Sequence, residues 1–242
     1  MKHLVSAFAI VEHILRDRTG HFAEIGRSED LTSKIADMLI VTVLGLGLFG
    51  TVMGLTGGLP WMLASTIKLP LLFFSSLVIC LPTLYHFSLL FGGRLTFMQT
   101  ISLLLTALTV TAVLSFGFAL ISLFFHFSGS EYHFMVTLDV IMLAVAGSAG
   151  LVFLVQGTLY LEQTAPPAHI TFSQWLRFVV GSGRSLILVS WMGLFATVGT
   201  QMGWTLRPFF GAPGTTFVLF RPVQGSFYQG FLRTVEWLLT GG

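Results

Sequence analysis

Of 242 residues, 54% are hydrophobic and only 9% are charged, against roughly 25% charged in a soluble domain; with a mean hydropathy of +0.87, water alone cannot solvate this surface. The formal net charge of +2 is too small to indicate nucleic-acid binding, and the single cysteine, Cys80, excludes an intrachain disulfide or a cysteine metal cluster. Six of the ten acids (Glu12, Asp17, Glu24, Glu29, Asp30, Asp37) fall within the first 37 positions, so a short polar head precedes an apolar body.

The head comes first. Leu4–Val11 is apolar, but Glu12, Arg16, Asp17 and Arg18 follow without a small-residue cleavage site, so export is expected to rest on internal spans. Leu4, Phe8, Val11 and Leu15 recur at helical spacing, which predicts an amphipathic helix lying on the membrane or on a partner. Ser28, Glu29 and Asp30 provide a helix start ahead of the body.

A bilayer crossing needs about 20 apolar residues. Five runs qualify: 38–55, 69–91, 98–125, 134–161 and 185–206. Inside lipid each must satisfy its own backbone polar groups, so each is expected to be a helix. The organisation is then a cytoplasmic segment 1–36, a five-span bundle 37–206, and an extramembrane tail 207–242 with a short interfacial helix near 226–239. Trp61 with Lys68, and Trp175 with Arg177, are expected at headgroup depth before the second and fifth spans. Pro82 is expected to kink the second span, with Ser75, Ser76 and His86 available to satisfy freed backbone groups. Lys2, Arg16, Arg18, Arg27, Lys34, Arg94, Arg177 and Arg184 lie on one side, against Lys68, Arg207, Arg221 and Arg233 on the other. That bias places the N-terminus in the cytoplasm and the C-terminus outside, with a bacterial inner membrane as the expected location.

In the first span, "GLGLFG" spells a dinucleotide fingerprint, but that motif needs a strand before it and an acid about twenty residues after it. Neither is present. At about 100° per residue, Gly47, Gly50, Gly54 and Gly58 form one stripe and Gly45 faces away. A glycine stripe suits close helix contact. Ala146, Gly150 and Gly157 align in the fourth run, and Ala196, Gly199 and Gly203 in the fifth. These seams are expected to join helices within the chain, in a homo-oligomer or against other membrane proteins.

Asp139 is the only acid inside a run, on the stripe of Ala146, Gly150 and Gly157. An intramembrane acid marks a pathway or proton-linked site, or else an inter-helix hydrogen bond or cap near the headgroups. His126, Glu131 and His133 precede it and are candidates to bind a cation or relay a proton alongside it. Their loop has no set metal-ligand geometry, and no cofactor, metal or catalytic motif is identified.

Five spans after a polar head, with Lys68 and Pro70 opening the second in "IKLPLLFFSSLVICLPTLY", resemble the Yip1-like membrane proteins over roughly residues 30–210. Where eukaryotic members carry an Asp-Leu-x-Gly-Pro type of motif, this chain reads "RSEDLTSKIADM". The resemblance implies a non-enzymatic protein working through protein or lipid contacts. The expected fold is thus an all-α polytopic bundle with interfacial helices at both ends. The expected role is scaffold, anchor or assembly subunit, with a small channel or carrier using Asp139 as the alternative.

Overall fold

A computed structural model describes residues 2–90, 95–129, 131–161, 183–207, 209–211 and 216–220. Every element among them is helical: α1 (Lys2–Arg16), α2 (Arg18–Gly26), α3 (Leu31–Gly54), a 3-10 turn (Leu55–Gly57), α4 (Leu59–Leu90), α5 (Phe97–Phe127), α6 (Tyr132–Leu161) and α7 (Gly183–Leu206). Four of the described helices, α3 to α6, are long and apolar enough to cross a membrane. The tail helix expected near 226–239, and Arg94, Trp175, Arg177, Arg221 and Arg233, lie outside the described residues.

Helix α5 is the centre of the bundle. It packs between α3 and α6, while α4 packs on α3 and α7 packs on α4. Its start is a capping box: Thr96 Oγ1 accepts from Gln99 N at 3.3 Å, and Gln99 Oε1 accepts from Thr96 N at 2.9 Å. Two of the four orphan donors of a helix start are satisfied this way. On the α4–α7 side, Trp191 Nε1 donates to the Cys80 carbonyl at 3.0 Å.

The spans begin and end differently from the apolar runs. Helix α3 opens at Leu31, seven residues before the first run, and α4 opens at Leu59, ten before the second. The segment holding Trp61 and Lys68 is therefore part of α4, not a separate interfacial piece. Pro60 causes no break because its missing N–H falls in the first turn, where no partner is needed. Pro70 and Pro82 are both inside α4. Ser75, Ser76 and His86 bond the carbonyls of Leu71, Leu72 and Pro82, each four residues back. None of them reaches Thr66 or Val78, the carbonyls that the two prolines free.

Lys68 is likewise buried within α4 rather than set in a loop. Its ammonium donates to the Leu219 carbonyl and stands 4.8 Å from the Phe220 ring centroid. Ser65 Oγ donates to the Phe209 carbonyl at 2.5 Å, and Gly57 abuts Gly211. The described part of the tail thus lies on the outer end of the α3–α4 hairpin.

The head is docked on the bundle. Ala7, Ile10 and Ile14 are buried in the face that α1 turns to α3, while Phe8 is 71% and Leu15 50% exposed. Phe8 and Leu15, on the face expected to meet a membrane or a partner, are thus left uncovered, while Val11 is partly buried against the core. Two apolar faces compete on this helix, and the smaller, β-branched side fits against α3. Asp17 ends α1 and caps α2, accepting from Gly20 N at 2.9 Å. Gln99 then holds the end of α2, donating to the carbonyls of Ile25 at 3.2 Å and Gly26 at 3.0 Å.

Candidate functional site

The central helix carries an unusual polar load for a span. Gln99, Thr100, Ser102, Thr106, Thr109, Thr111, Ser115 and Ser122 are all buried. A hydroxyl in a helix can donate to the carbonyl four residues back; Thr100, Thr106 and Thr111 do so at 3.1, 2.8 and 2.9 Å. The glycine contacts bring two polar clusters together along this helix.

The first cluster lies at the head end. His21, fully buried on α2, sits 2.9 Å from Thr106 Oγ1 through Nε2. With the Thr106 proton assigned to the Ser102 carbonyl, its shortest backbone acceptor at 2.8 Å, Nε2 is the protonated nitrogen; the tautomer rests on that assignment. Nδ1 is left with a bare lone pair and no partner. Burial, followed by the nearby His13 and Lys34, pushes the His21 imidazole down to about 4, so it is neutral at physiological pH. Beside it, Glu24 Oε2 accepts from Lys34 Nζ at 2.7 Å, and that hydrogen bond holds its carboxyl below the usual range. His13 Nδ1 stands 3.7 Å from Glu24 Oε2. Below, Thr42 Oγ1 donates to the Met38 carbonyl at 2.8 Å, with Thr109 Oγ1 3.4 Å away.

The second cluster lies at the opposite end, between α5 and α6. Asp139 is fully buried about two turns into α6. The Ser122 hydroxyl is close enough to act on Asp139 as a hydrogen-bond donor, but no well-formed hydrogen bond is made at either carboxylate oxygen or by the hydroxyls of Ser115 and Ser122. A serine settles this by rotating onto its own i−4 carbonyl, as the threonines do. A carboxylate has no such outlet.

The seam around Asp139 is held by small residues. Ala146 is fully buried; a Cβ at Gly150 would meet Thr111 Oγ1 at 2.2 Å and the Ala107 carbonyl at 2.5 Å. At Gly157 it would meet Leu103 at 2.6 Å and Phe22 of the head at 2.7 Å. On α3, Gly50 abuts the Ser65 backbone, Gly54 abuts Met62, and Gly47 lies 3.5 Å from the Thr66 carbonyl. Gly45, on the opposite face, abuts the Ala112 backbone of α5. The first span is therefore notched on two faces, one for α4 and one for α5.

Four expected seam residues are placed elsewhere or more loosely. Gly58 is outside the helix, at the α3–α4 turn with φ +89° and open space around it; its use is the left-handed conformation. Ala196 is exposed. A Cβ added at Gly199 would meet only Ser76 at 3.9 Å, and one at Gly203 only Leu72 at 3.5 Å, ordinary contact distances.

His126 is half-buried at the end of α5, and Glu131 and His133 are exposed. Among the described residues the group of three His, Cys or acidic side chains with donor atoms in metal-binding reach is His13, His21 and Glu24, not these. Sequence reasoning missed that group because its members sit on two helices broken at Asp17. It also missed Gln99, although Thr96-x-x-Gln99 is the capping-box spacing. No family model, curated protein or solved structure matches this chain.

Proposed function

We propose that this is a non-enzymatic integral membrane protein of five spans, α3 to α7, working as a small carrier for a proton or monovalent cation at the Asp139 seam. The observation that carries this reading is a fully buried carboxyl with neither oxygen hydrogen-bonded. Burying an unpaired charge costs several kcal/mol or more, so the group needs a counter-ligand: a proton, a cation, or a donor brought in by movement. The N-terminus would be cytoplasmic and the C-terminus outside, in a bacterial inner membrane.

The test is reconstitution. Proteoliposomes of the wild type should dissipate an imposed proton or cation gradient, Asp139→Glu should retain part of the flux, and Asp139→Asn should lose it while still inserting. Wild-type liposomes that conduct neither would remove the carrier reading. A second reading, an anchor or assembly subunit as the Yip1-like layout implies, is favoured by Phe8 and Leu15. They are exposed apolar residues on a helix outside the spans. Stable co-purification with one membrane partner, lost in Phe8→Ser, would support it.

A further inference from the structure

We infer that His13, His21 and Glu24 form a binding site for a divalent transition-metal ion of the zinc class, at the junction of α1, α2 and α5. One donor atom from each lies within 4.8 Å of the others. Two imidazoles and a carboxylate are a zinc donor set, with a fourth position left for water.

The strongest support is the state of His21. The ring is buried, its Nε2–H is taken by Thr106, and the unpartnered Nδ1 is the nitrogen left to an ion. A metal-ligating histidine is characteristically held by a hydrogen bond from its other nitrogen, which sets tautomer and ring orientation. Here that bond comes from the central helix, so the ligand is oriented before any ion arrives. His13 has the same arrangement in weaker form. Its Nδ1 faces Glu24 at 3.7 Å while its Nε2 faces Asp17 Oδ2 at 4.0 Å. The two imidazole rings stand edge to face, centroids 5.7 Å apart.

Donors around a tetrahedral zinc ion stand roughly 3.3 Å apart, given bonds of about 2.0 Å. The cluster must therefore tighten by about 1 Å or more. The two ligands that have to move are the less buried ones: the His13 and Glu24 side chains are 30% and 28% exposed. Lys34 is the competitor, since its ammonium holds Glu24 Oε2 at 2.7 Å. Binding an ion means displacing that ammonium or using the other carboxylate oxygen. An occupied site would clamp the head to the bundle, because its ligands span α1 and α2 and its anchor is α5.

The experiment uses the full chain in detergent micelles, purified with a histidine-free tag and stripped with chelator. It is titrated with Zn2+ by calorimetry and with Co2+ by visible absorption. One ion per chain is expected, with a tetrahedral cobalt spectrum. His13→Ala, at a partly exposed position, should elute as folded protein and bind at least about tenfold more weakly. Lys34→Met should bind severalfold more tightly, because the competing cation is gone. No saturable binding by the wild type, or equal affinity in His13→Ala, overturns the site.

Discussion

The two ends of α5 handle buried polar groups in opposite ways. At the head end, Thr106 donates to the Ser102 carbonyl and accepts from His21, Gln99 bonds two carbonyls of α2 and the Ser28 hydroxyl beyond it, and Glu24 pairs with Lys34. At the other end, Asp139 lies near Ser122, and neither makes a well-formed hydrogen bond. Both ends are buried, so burial is not what separates them. The difference is connectivity: the head network closes on itself apart from His21 Nδ1 and the Ser102 hydroxyl, while the Asp139 seam is left with a demand that the described residues do not meet. A closed network holds a fold together, and an open one is where a ligand or a motion is needed.

Three experiments would break or sharpen that contrast. The largest effect is expected from Gly150→Leu, which forces a side chain into the Thr111 and Ala107 backbone region at contact distances below 3 Å. Overpacking of this kind should cost about 3 kcal/mol, read as a loss of folded material in thermal scans of the detergent-solubilised protein. A similar loss from Gly147→Leu, where nothing lies within 4 Å of the added Cβ, would show that the seam is not the tight contact described.

Next comes the pH response of the head. His21 is held at about 4 in the docked head against an ordinary 6.5, chiefly by burial. The undocked head takes up a proton in that interval and the docked head refuses it, so docking is at full strength above about 6.5. It weakens as pH falls toward about 4, by at most ~3 kcal/mol. Glu24, lowered mainly by its hydrogen bond from Lys34, loses its pairing in the same direction at still lower pH. Hydrogen exchange in α1 and α2, corrected for intrinsic rates, should speed up between pH 7.5 and pH 5, and His21→Asn should flatten the profile. Faster exchange in the α5–α6 hairpin instead would place the pH-sensitive element at the wrong end.

The smallest effects form a matched pair. Thr106→Val leaves the His21 Nε2–H without its acceptor and should destabilise by about 1–2 kcal/mol. Ser122→Ala removes a hydroxyl that bonds nothing, and should be neutral or stabilising by up to ~1 kcal/mol. Equal losses from both would mean that the outer seam is as closed as the head.

Much of the helical content could be read directly. Each apolar run lies within or overlaps one helix, and Asp139 shares its buried face with Ala146, Gly150 and Gly157 as the spacing predicts. The boundaries were less legible, because an apolar run marks the lipid-compatible stretch and not the hydrogen-bonded one. Thus α3 extends back through Lys34 and Asp37, and α4 continues through Lys68. Of the two polar clusters, only Asp139 announced itself, as a lone acid among apolar neighbours. His21 was hidden in a short head where charges are common.

By itself, the amino-acid sequence determined that four of these helices are long and apolar enough to cross a membrane and that small residues line some of their faces. Backbone polar groups without water must bond within their own segment, and that is a local requirement. Only the tertiary structure decided which faces meet: Gly45 on Ala112, Gly50 on Ser65, Ile10 and Ile14 rather than Phe8 toward α3, and His13 with Glu24 around His21. In water, apolarity tells inside from outside and leaves a periodic trace. In lipid both faces of a helix are apolar, so the inner face is chosen by shape and by polar groups finding one another, and neither is written at fixed spacing along the chain.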